Sequence, residues 1–268
     1  MGRADPAGGP MSPRPVALRV IASEAARAAG DELLARFRSR DELVVRAKSS
    51  PTDMVSEADE AAEAAIRRIL GARRPDDAIL GEEGGRTGDG ELEWVVDPLD
   101  GTTNFLYGIP AWCVSVAVRD AEGGIAGVVF DPVRDEVFAA ERGGAATMNG
   151  EALRRDDDPE LAVSLIGTGF GYDAAVRERQ AAVAAALLPR ARDLRRVGAA
   201  ALDLAWCAAG RLDGYYERGV KPWDIAAGAL ICERAGLDVR VLPETGELPS
   251  GLLAAPPRLA AELERIVG

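Results

Sequence analysis

The sequence predicts a mixed α/β protein, with an α+β front half to about residue 155 and an α/β back half after it. Three observations carry that expectation. Two long stretches near the start repeat apolar residues at helical spacing, and three β-rich stretches follow across residues 112–141. From Leu161 onward, strand-like and helix-like segments alternate. With 268 residues, 47% of them apolar, the chain can bury a substantial core, and residues 16–268 are expected to form one domain. Met1 to Pro15 is rich in Gly and Pro and reads as a disordered tail, not a signal peptide.

In chain order, Val16 to Phe37 sets Leu18, Ile21, Ala25, Ala28, Leu33, Leu34 and Phe37 at helical spacing. Leu43 to Ala47 reads as a short strand. Thr52 to Leu70 begins with capping-type residues and continues through Ala58, Ala62, Ala65, Ile66 and Ile69, which predicts a second amphipathic helix. Ala78-Ile79-Leu80 is a short apolar run, Gly84 to Gly90 a glycine-rich polar loop, and the segment from Trp94 a core strand. Trp112 to Arg119, Ile125 to Asp131 and Glu136 to Glu141, separated by Gly or Asp-Pro turns, predict an antiparallel meander. The back half alternates a strand at Val163 to Thr168, a helix at Ala174 to Leu188, a strand at Leu194 to Val197, a helix at Ala200 to Ala209 and a strand at Gly214 to Tyr216. A last helical pair is expected at Trp223 to Ala235 and Pro257 to Val267.

Composition removes several function classes. A net charge of −12 disfavours nucleic acid or an anionic membrane surface as partner. No apolar run reaches membrane-spanning length. The absence of histidine excludes Ser-His-Asp triads, Cys-His pairs, phosphohistidine chemistry and His-ligated zinc. Cys113, Cys207 and Cys232 are odd in number and widely spaced in apolar context, which fits reduced core thiols of a cytoplasmic protein. Catalysis must then rest on carboxylates, hydroxyls, lysine and metal.

The run Trp94-Val95-Val96-Asp97-Pro98-Leu99-Asp100-Gly101-Thr102-Thr103-Asn104-Phe105 delivers two carboxylates and two hydroxyls into one tight loop after an apolar strand. Pro98 restricts φ and Gly101 allows a sharp turn, so both acids can face one oxygen-seeking cation. A polar turn after a core strand has the same composition. In Gly81-Glu82-Glu83-Gly84 the adjacent acids point opposite ways on an extended segment, so one can ligate a metal while the other serves a second cation or a water; a solvated acidic loop is the alternative. Asp224 stands at the first turn of a helix, where the macrodipole and capping favour a carboxylate in any case. Asp53 and Asp59 read equally as surface acids.

In sequence and order, G-E-E, W-V-V-D-P-L-D-G-T-T-N-F, G-A-A-A-L-D-L-A and W-D-I-A-A-G resemble the inositol monophosphatase family over roughly Val16 to Val267. The resemblance implies a layered αβαβα sandwich, a lithium-sensitive, Mg²⁺-dependent phosphomonoesterase and a homodimer. Its substrate would be a small polyol or sugar phosphate, with myo-inositol 1-phosphate foremost. Histidinol phosphate, fructose 1,6-bisphosphate, a 3′-phosphoadenosine nucleotide or an amino-cyclitol phosphate are the alternatives. By resemblance, Glu82, Asp97, the Leu99 carbonyl, Asp100 and Asp224 hold two or three Mg²⁺ ions, with Glu83 near the third. Thr102 paired with Asp59 holds the attacking water, and Gly101 and Thr102 offer backbone N–H groups to the phosphate. Lys48 adds positive charge near the metals. Gly198, Ala199 and Ala200 contact the polyol through backbone groups, Glu217 hydrogen-bonds its hydroxyls, and Asp100 and Asp224 face the substrate as well. Two positions depart from the family pattern: Ala199 lacks the usual hydroxyl, and Lys221 stands where some members have histidine. A regulatory, protein-binding role on the same fold is the second reading.

Overall fold

The computed structural model describes residues 15–39, 45–47 and 54–268. The expected tail, Lys48 and Asp53 lie outside the described residues. The chain opens with helix α1 (Pro15–Phe37), and a short antiparallel pair follows, β1 (Val45–Ala47) against β2 (Met54–Ser56). Helix α2 (Glu57–Arg73) therefore starts later than the expected Thr52. Ser56, the last residue of β2, is its N-cap: the hydroxyl accepts from the Ala58 N–H at 3.2 Å, while Asp59 reaches back to the Ser56 N–H at 2.9 Å.

The front sheet contains β3 (Ala78–Gly81), β4 (Gly85–Thr87), β5 (Glu93–Asp100), β6 (Cys113–Asp120), β7 (Gly123–Asp131), β8 (Glu136–Glu141), β9 (Thr147–Met148) and β10 (Glu151–Ala152). Its order is β10-β9-β8-β7-β6-β5-β3-β4, with β3 parallel to β5 and the β5-to-β8 meander antiparallel throughout. Two local expectations are corrected. The glycine-rich stretch at 84–90 contributes the short edge strand β4, and the D-P-L-D segment is the end of β5, not a loop. A five-residue helix α3 (Thr102–Leu106) follows directly.

The back sheet contains β11 (Leu165–Thr168), β12 (Asp193–Arg195), β13 (Gly214–Arg218), β14 (Asp238–Leu242) and β15 (Gly251–Ala255), in the order β12-β11-β13-β15-β14. With it come α4 (Ala174–Leu187), α5 (Ala200–Ala208), α6 (Pro222–Ala235) and α7 (Pro257–Val267). The β14–β15 hairpin separates the two helices expected as a final pair.

Three apolar cores hold five layers together. Leu18, Ile66 and Leu70 of α1 and α2 pack on Trp94, Val96 and Val116 of the front sheet. On the opposite face of that sheet, Val95, Val129 and Phe138 meet Leu204 of α5 and Ile231 of α6, which pack in turn on Tyr215 and Ala254 of the back sheet. Beyond it, Ile166 and Leu253 meet Leu259 and Leu263 of α7, with Leu187 of α4. The result is the αβαβα sandwich. Along β5, Trp94 and Val96 face one core and Val95 the other, as the two-residue period of a strand requires, so a strand buried on both faces reads as an unbroken apolar run. Among the described residues no helix is long and apolar enough to cross a membrane.

Candidate active site

A cleft of about 430 Å³ opens where the ends of β3, β5 and β13 meet the N-termini of α3, α5 and α6. Glu82, Asp97, Leu99, Asp100, Gly101, Thr102, Gly198, Ala200, Glu217 and Asp224 all line it. Residues three apart on a regular strand face opposite ways. Asp97 and Asp100 share a side because β5 carries one extra residue here: Asp97 pairs with Ser115 and Asp100 with Cys113, three steps on β5 against two on β6. Asp97 is 2% exposed, and its Oδ1 accepts from the Leu99 N–H at 3.0 Å. The Leu99 side chain is buried in the front core.

Asp100 holds the two halves of the chain together. Its Oδ1 accepts from the Ala200 N–H at 3.1 Å and its Oδ2 from the Ala201 N–H at 2.7 Å, so a carboxylate from β5 caps the first turn of α5. The Cys113 thiol donates to Oδ2 at 3.6 Å. Gly101 takes a left-handed conformation, φ 93°, and a Cβ there would lie 3.0 Å from the Ala111 carbonyl and 3.2 Å from the Ala199 Cβ. Only glycine combines that φ with that closeness. Asn104 adds a second tie, its amide donating to the Ala111 carbonyl at 2.7 Å and the Val197 carbonyl at 2.9 Å.

On the rim, the single Thr102 hydroxyl hydrogen lies between two acceptors, Asp59 Oδ1 at 3.0 Å and the Leu99 carbonyl at 3.1 Å. Asp59 is fully buried behind Thr102, and its Oδ2 accepts from the Ser56 N–H at 2.9 Å and hydroxyl at 2.7 Å. Asp59 does not line the cleft, so it reaches the cleft through Thr102. The paired glutamates stand in the turn between β3 and β4 and not on an extended segment; Glu82 lines the cleft and Glu83 does not. The loop carrying them is clamped by Glu63 of α2, whose carboxylate accepts from the Glu83 and Gly84 N–H groups, each at 2.8 Å, and from Arg67 at 2.7 Å.

Across the cleft, Tyr215 donates to Glu217 Oε2 at 2.7 Å. Glu217 lies over Gly169, where a Cβ would come within 1.9 Å of that carboxylate. Asp224, in the first turn of α6, accepts from the Lys221 N–H at 2.6 Å. Arg196 and Lys221 line the mouth. Ala199 is placed differently from the rest: its side chain is 1% exposed in the middle core at the N-cap of α5, and the cleft is lined by Gly198 and Ala200 on either side of it. A hydroxyl at 199 would serve the helix cap, so the missing hydroxyl is a feature of α5 packing.

Burial pushes the Asp97 carboxyl well above its ordinary range, with repulsion from Glu82, Asp100 and Asp224 adding to it. Asp224 rises for the same reasons. Asp100 is pushed up to about 7 by burial, against the opposing pull of the Ala201 N–H. Burial also raises Glu217, while Tyr215 and Arg196 draw it back. No basic side chain is among the groups that act most strongly on Asp97 or Asp100. A divalent cation supplies that missing counter-charge, so the donor set fits one. Among the described residues no three His, Cys, Asp or Glu side chains stand grouped as a ready-made metal site.

A stability measurement follows from the Asp100 shift. Its folded value of about 7 exceeds the ordinary 3.8, so the folded metal-free protein holds the extra proton between those pH values. This contribution to stability is complete below about pH 4 and is lost as pH rises through about 7. In chelator, melting temperature should fall more steeply from pH 5 to 8 for the unaltered protein than for Asp100→Asn, and Mg²⁺ should restore more at pH 8 than at pH 5. Equal slopes in the two proteins would show that Asp100 is not the titrating group.

Apart from Ser56, several residues in or behind the cleft carry no role legible in the sequence. Ser56 was detectable from the S-x-x-D box that precedes the apolar positions of α2. Asp203, 1% exposed in the first turn of α5 behind Glu217, is raised by burial, and neither of its carboxylate oxygens has a hydrogen-bond partner. It stood in the G-A-A-A-L-D-L-A motif without an assigned role. Arg196, Tyr215 and Glu63 carry no local signature.

A five-layer sandwich that gathers buried acids at the ends of its strands belongs with the phosphatases of that architecture. The chain is a member of the inositol monophosphatase family, whose model matches residues 16–266. It is 46% identical over 230 residues to the inositol-1-monophosphatase SuhB of Mycobacterium tuberculosis (strain CDC 1551 / Oshkosh), covering 82% of this chain and 79% of that one. Over 248 residues it is 43% identical to the Nus factor SuhB of Pasteurella multocida, with 91% and 92% covered. The crystal structure of the extragenic suppressor protein suhB from Bartonella henselae matches with a TM-score of 0.87 at 34% identity, covering 94% of this chain and 98% of that one.

Proposed function

We propose that this protein hydrolyses a small polyol phosphate monoester, myo-inositol 1-phosphate foremost, in a Mg²⁺-dependent reaction. The observation that carries the reading is the Thr102–Asp59 couple beside a group of buried, mutually repelling carboxylates. Glu82, Asp97, the Leu99 carbonyl, Asp100 and Asp224 would hold two or three Mg²⁺ ions, with Glu83 close by. Bound there, Mg²⁺ lowers the pKa of water and stabilises the leaving oxygen. The chain's own residues do the rest. With its hydrogen directed to Asp59 Oδ1, Thr102 Oγ1 has a lone pair for a hydrogen of the attacking water; as that proton moves to Oγ1, the Thr102 hydrogen moves to Asp59 Oδ1. Ser56 keeps the Asp59 carboxylate aimed at Thr102. Backbone N–H groups at Gly101 and Thr102 orient the phosphate, and Glu217 with the backbone of Gly198 and Ala200 receives the alcohol. By family resemblance the protein is a lithium-sensitive, cytoplasmic homodimer.

The test is phosphate release from a panel of polyol, sugar, nucleotide and aryl phosphates, with Mg²⁺ and in chelator. Release should require Mg²⁺ or Mn²⁺ and be fastest with a polyol phosphate; full activity in chelator sinks the reading. Within the same panel, Glu217→Ala should raise KM for the polyol phosphate by the equivalent of about 1–3 kcal/mol, the cost of leaving buried polar groups unpaired. An aryl phosphate should suffer far less. Equal losses on both would make Glu217 a supporting residue and not a specificity residue.

A second reading, a protein-binding role, is favoured by the similarity to a relative named Nus factor SuhB. Such a role would survive substitution of Asp97, whereas the phosphatase would not.

A further inference from the structure

Gln180 is a buried polar side chain that the chemistry above does not use. It sits on α4, 5% exposed, with both ends of its amide engaged by backbone. Oε1 accepts from the Gly171 N–H at 2.8 Å, and Nε2 donates to the Arg218 carbonyl at 3.0 Å. These two partners belong to different segments. Gly171 lies in the stretch that follows β11, Arg218 ends β13, and both line the cleft on the side opposite Thr102. Three residues earlier on the same helix, Arg177 donates to the carbonyls of Gly171 at 3.3 Å and Tyr172 at 3.0 Å. Helix α4 thus grips the Phe170–Tyr172 stretch from behind, and the Gln180 amide bridges it to the strand end that carries Glu217.

The chemistry of the bridge is specific. An amide side chain accepts and donates at once from one planar group without titrating; an ionised carboxylate cannot donate to the Arg218 carbonyl, and an alkyl chain can do neither. A small void of about 10 Å³, bordered by Thr168, Phe170, Gln180 and Arg218, adjoins the bridge.

We infer that Gln180 is a positioning residue that sets the spacing between the Phe170–Tyr172 stretch and the Glu217–Arg218 strand end, and with it the fit of the alcohol portion of the substrate. This rests on the phosphatase reading above. Asp97, Asp100 and Thr102 stand on the front sheet and α3, away from the bridge, so its loss acts on alcohol recognition and leaves the reacting groups in place.

The test compares Gln180→Leu and Gln180→Glu in the full chain with saturating Mg²⁺, using the best polyol phosphate of the panel and a small aryl phosphate. Gln180→Leu should raise KM for the polyol phosphate about ten-fold, the loss of two hydrogen bonds. Its kcat, and both constants for the aryl phosphate, should stay within about two-fold. Gln180→Glu, which retains the acceptor for Gly171, should fall between. Should Gln180→Leu fail to fold, Gln180→Glu carries the same comparison. An equal rise of KM for both esters, a fall in kcat alone, or no change overturns the inference. If the unaltered protein releases no phosphate from either ester, the phosphatase reading fails and takes this inference with it.

Discussion

Asp97→Asn should lower Mg²⁺-dependent turnover by about 10²-fold or more, beyond what loss of a residue that merely supports a metal ligand would do. The substitution is close to isosteric. The asparagine oxygen can still accept from the Leu99 N–H, so the bulge in β5 keeps its local tie. What disappears is a negative charge that burial and the neighbouring Glu82, Asp100 and Asp224 oppose in the metal-free protein. The variant should therefore melt at a higher temperature than the unaltered protein in chelator, while losing most of the stabilisation that Mg²⁺ brings. Raised metal-free stability together with lost activity marks a charge kept for a cation. A fall in both quantities would mark Asp97 as structural, and undiminished activity would remove it from the site.

Thr102→Ala should lower kcat by about 10²-fold or more with little change in KM, because the hydroxyl orients the water and does not hold the ester. Thr102→Ser keeps the hydroxyl and should recover most of the rate. Asp59 is fully buried and reaches the cleft through Thr102 Oγ1, so the two should act as one unit. Adding Asp59→Asn to Thr102→Ala should cost little beyond the larger single loss. Asp59→Asn also disturbs the cap of α2, at about 1 kcal/mol, which a melting curve reports separately. Multiplying losses would split the couple into independent roles. An unchanged kcat in Thr102→Ala would move water positioning to Thr103, which also lines the cleft.

The acids of the cleft were legible because each sits at the end of a strand or the start of a helix, inside a motif with its own local logic. Glu82 and Glu83 follow directly on the end of β3, in the turn to β4, and Asp224 lies in the first turn of its helix. The bulge between Asp97 and Asp100 was not legible, because it exists only in the register with β6. The β14–β15 hairpin escaped for a different reason. Gly251–Ala255 is buried at every position and shows no alternation, while Val241 of its partner is 71% exposed and blurs the pattern there. Gln180 and Asn104 act on backbone groups distant in sequence, and nothing adjacent to them announces it. Ala199 shows the converse: the motif makes its missing hydroxyl legible, but only the fold shows that the side chain faces the core and not the cleft.

Asp100 reaches from β5 to the first turn of α5, and Asn104 from α3 to the Val197 carbonyl, so one groove is assembled from two separate stretches of the polypeptide. The N-terminal stretch contributes Glu82, Asp97, Asp100 and Thr102, and the C-terminal stretch contributes Arg196, Glu217, Asp224 and the 170–172 turn. Apart from Asp224, which stands with the proposed Mg²⁺ ligands, the second stretch can change without touching the groups in the first. An ancestor with this seam could exchange one alcohol for another through changes confined to the C-terminal half, its hydrolytic apparatus inherited unchanged.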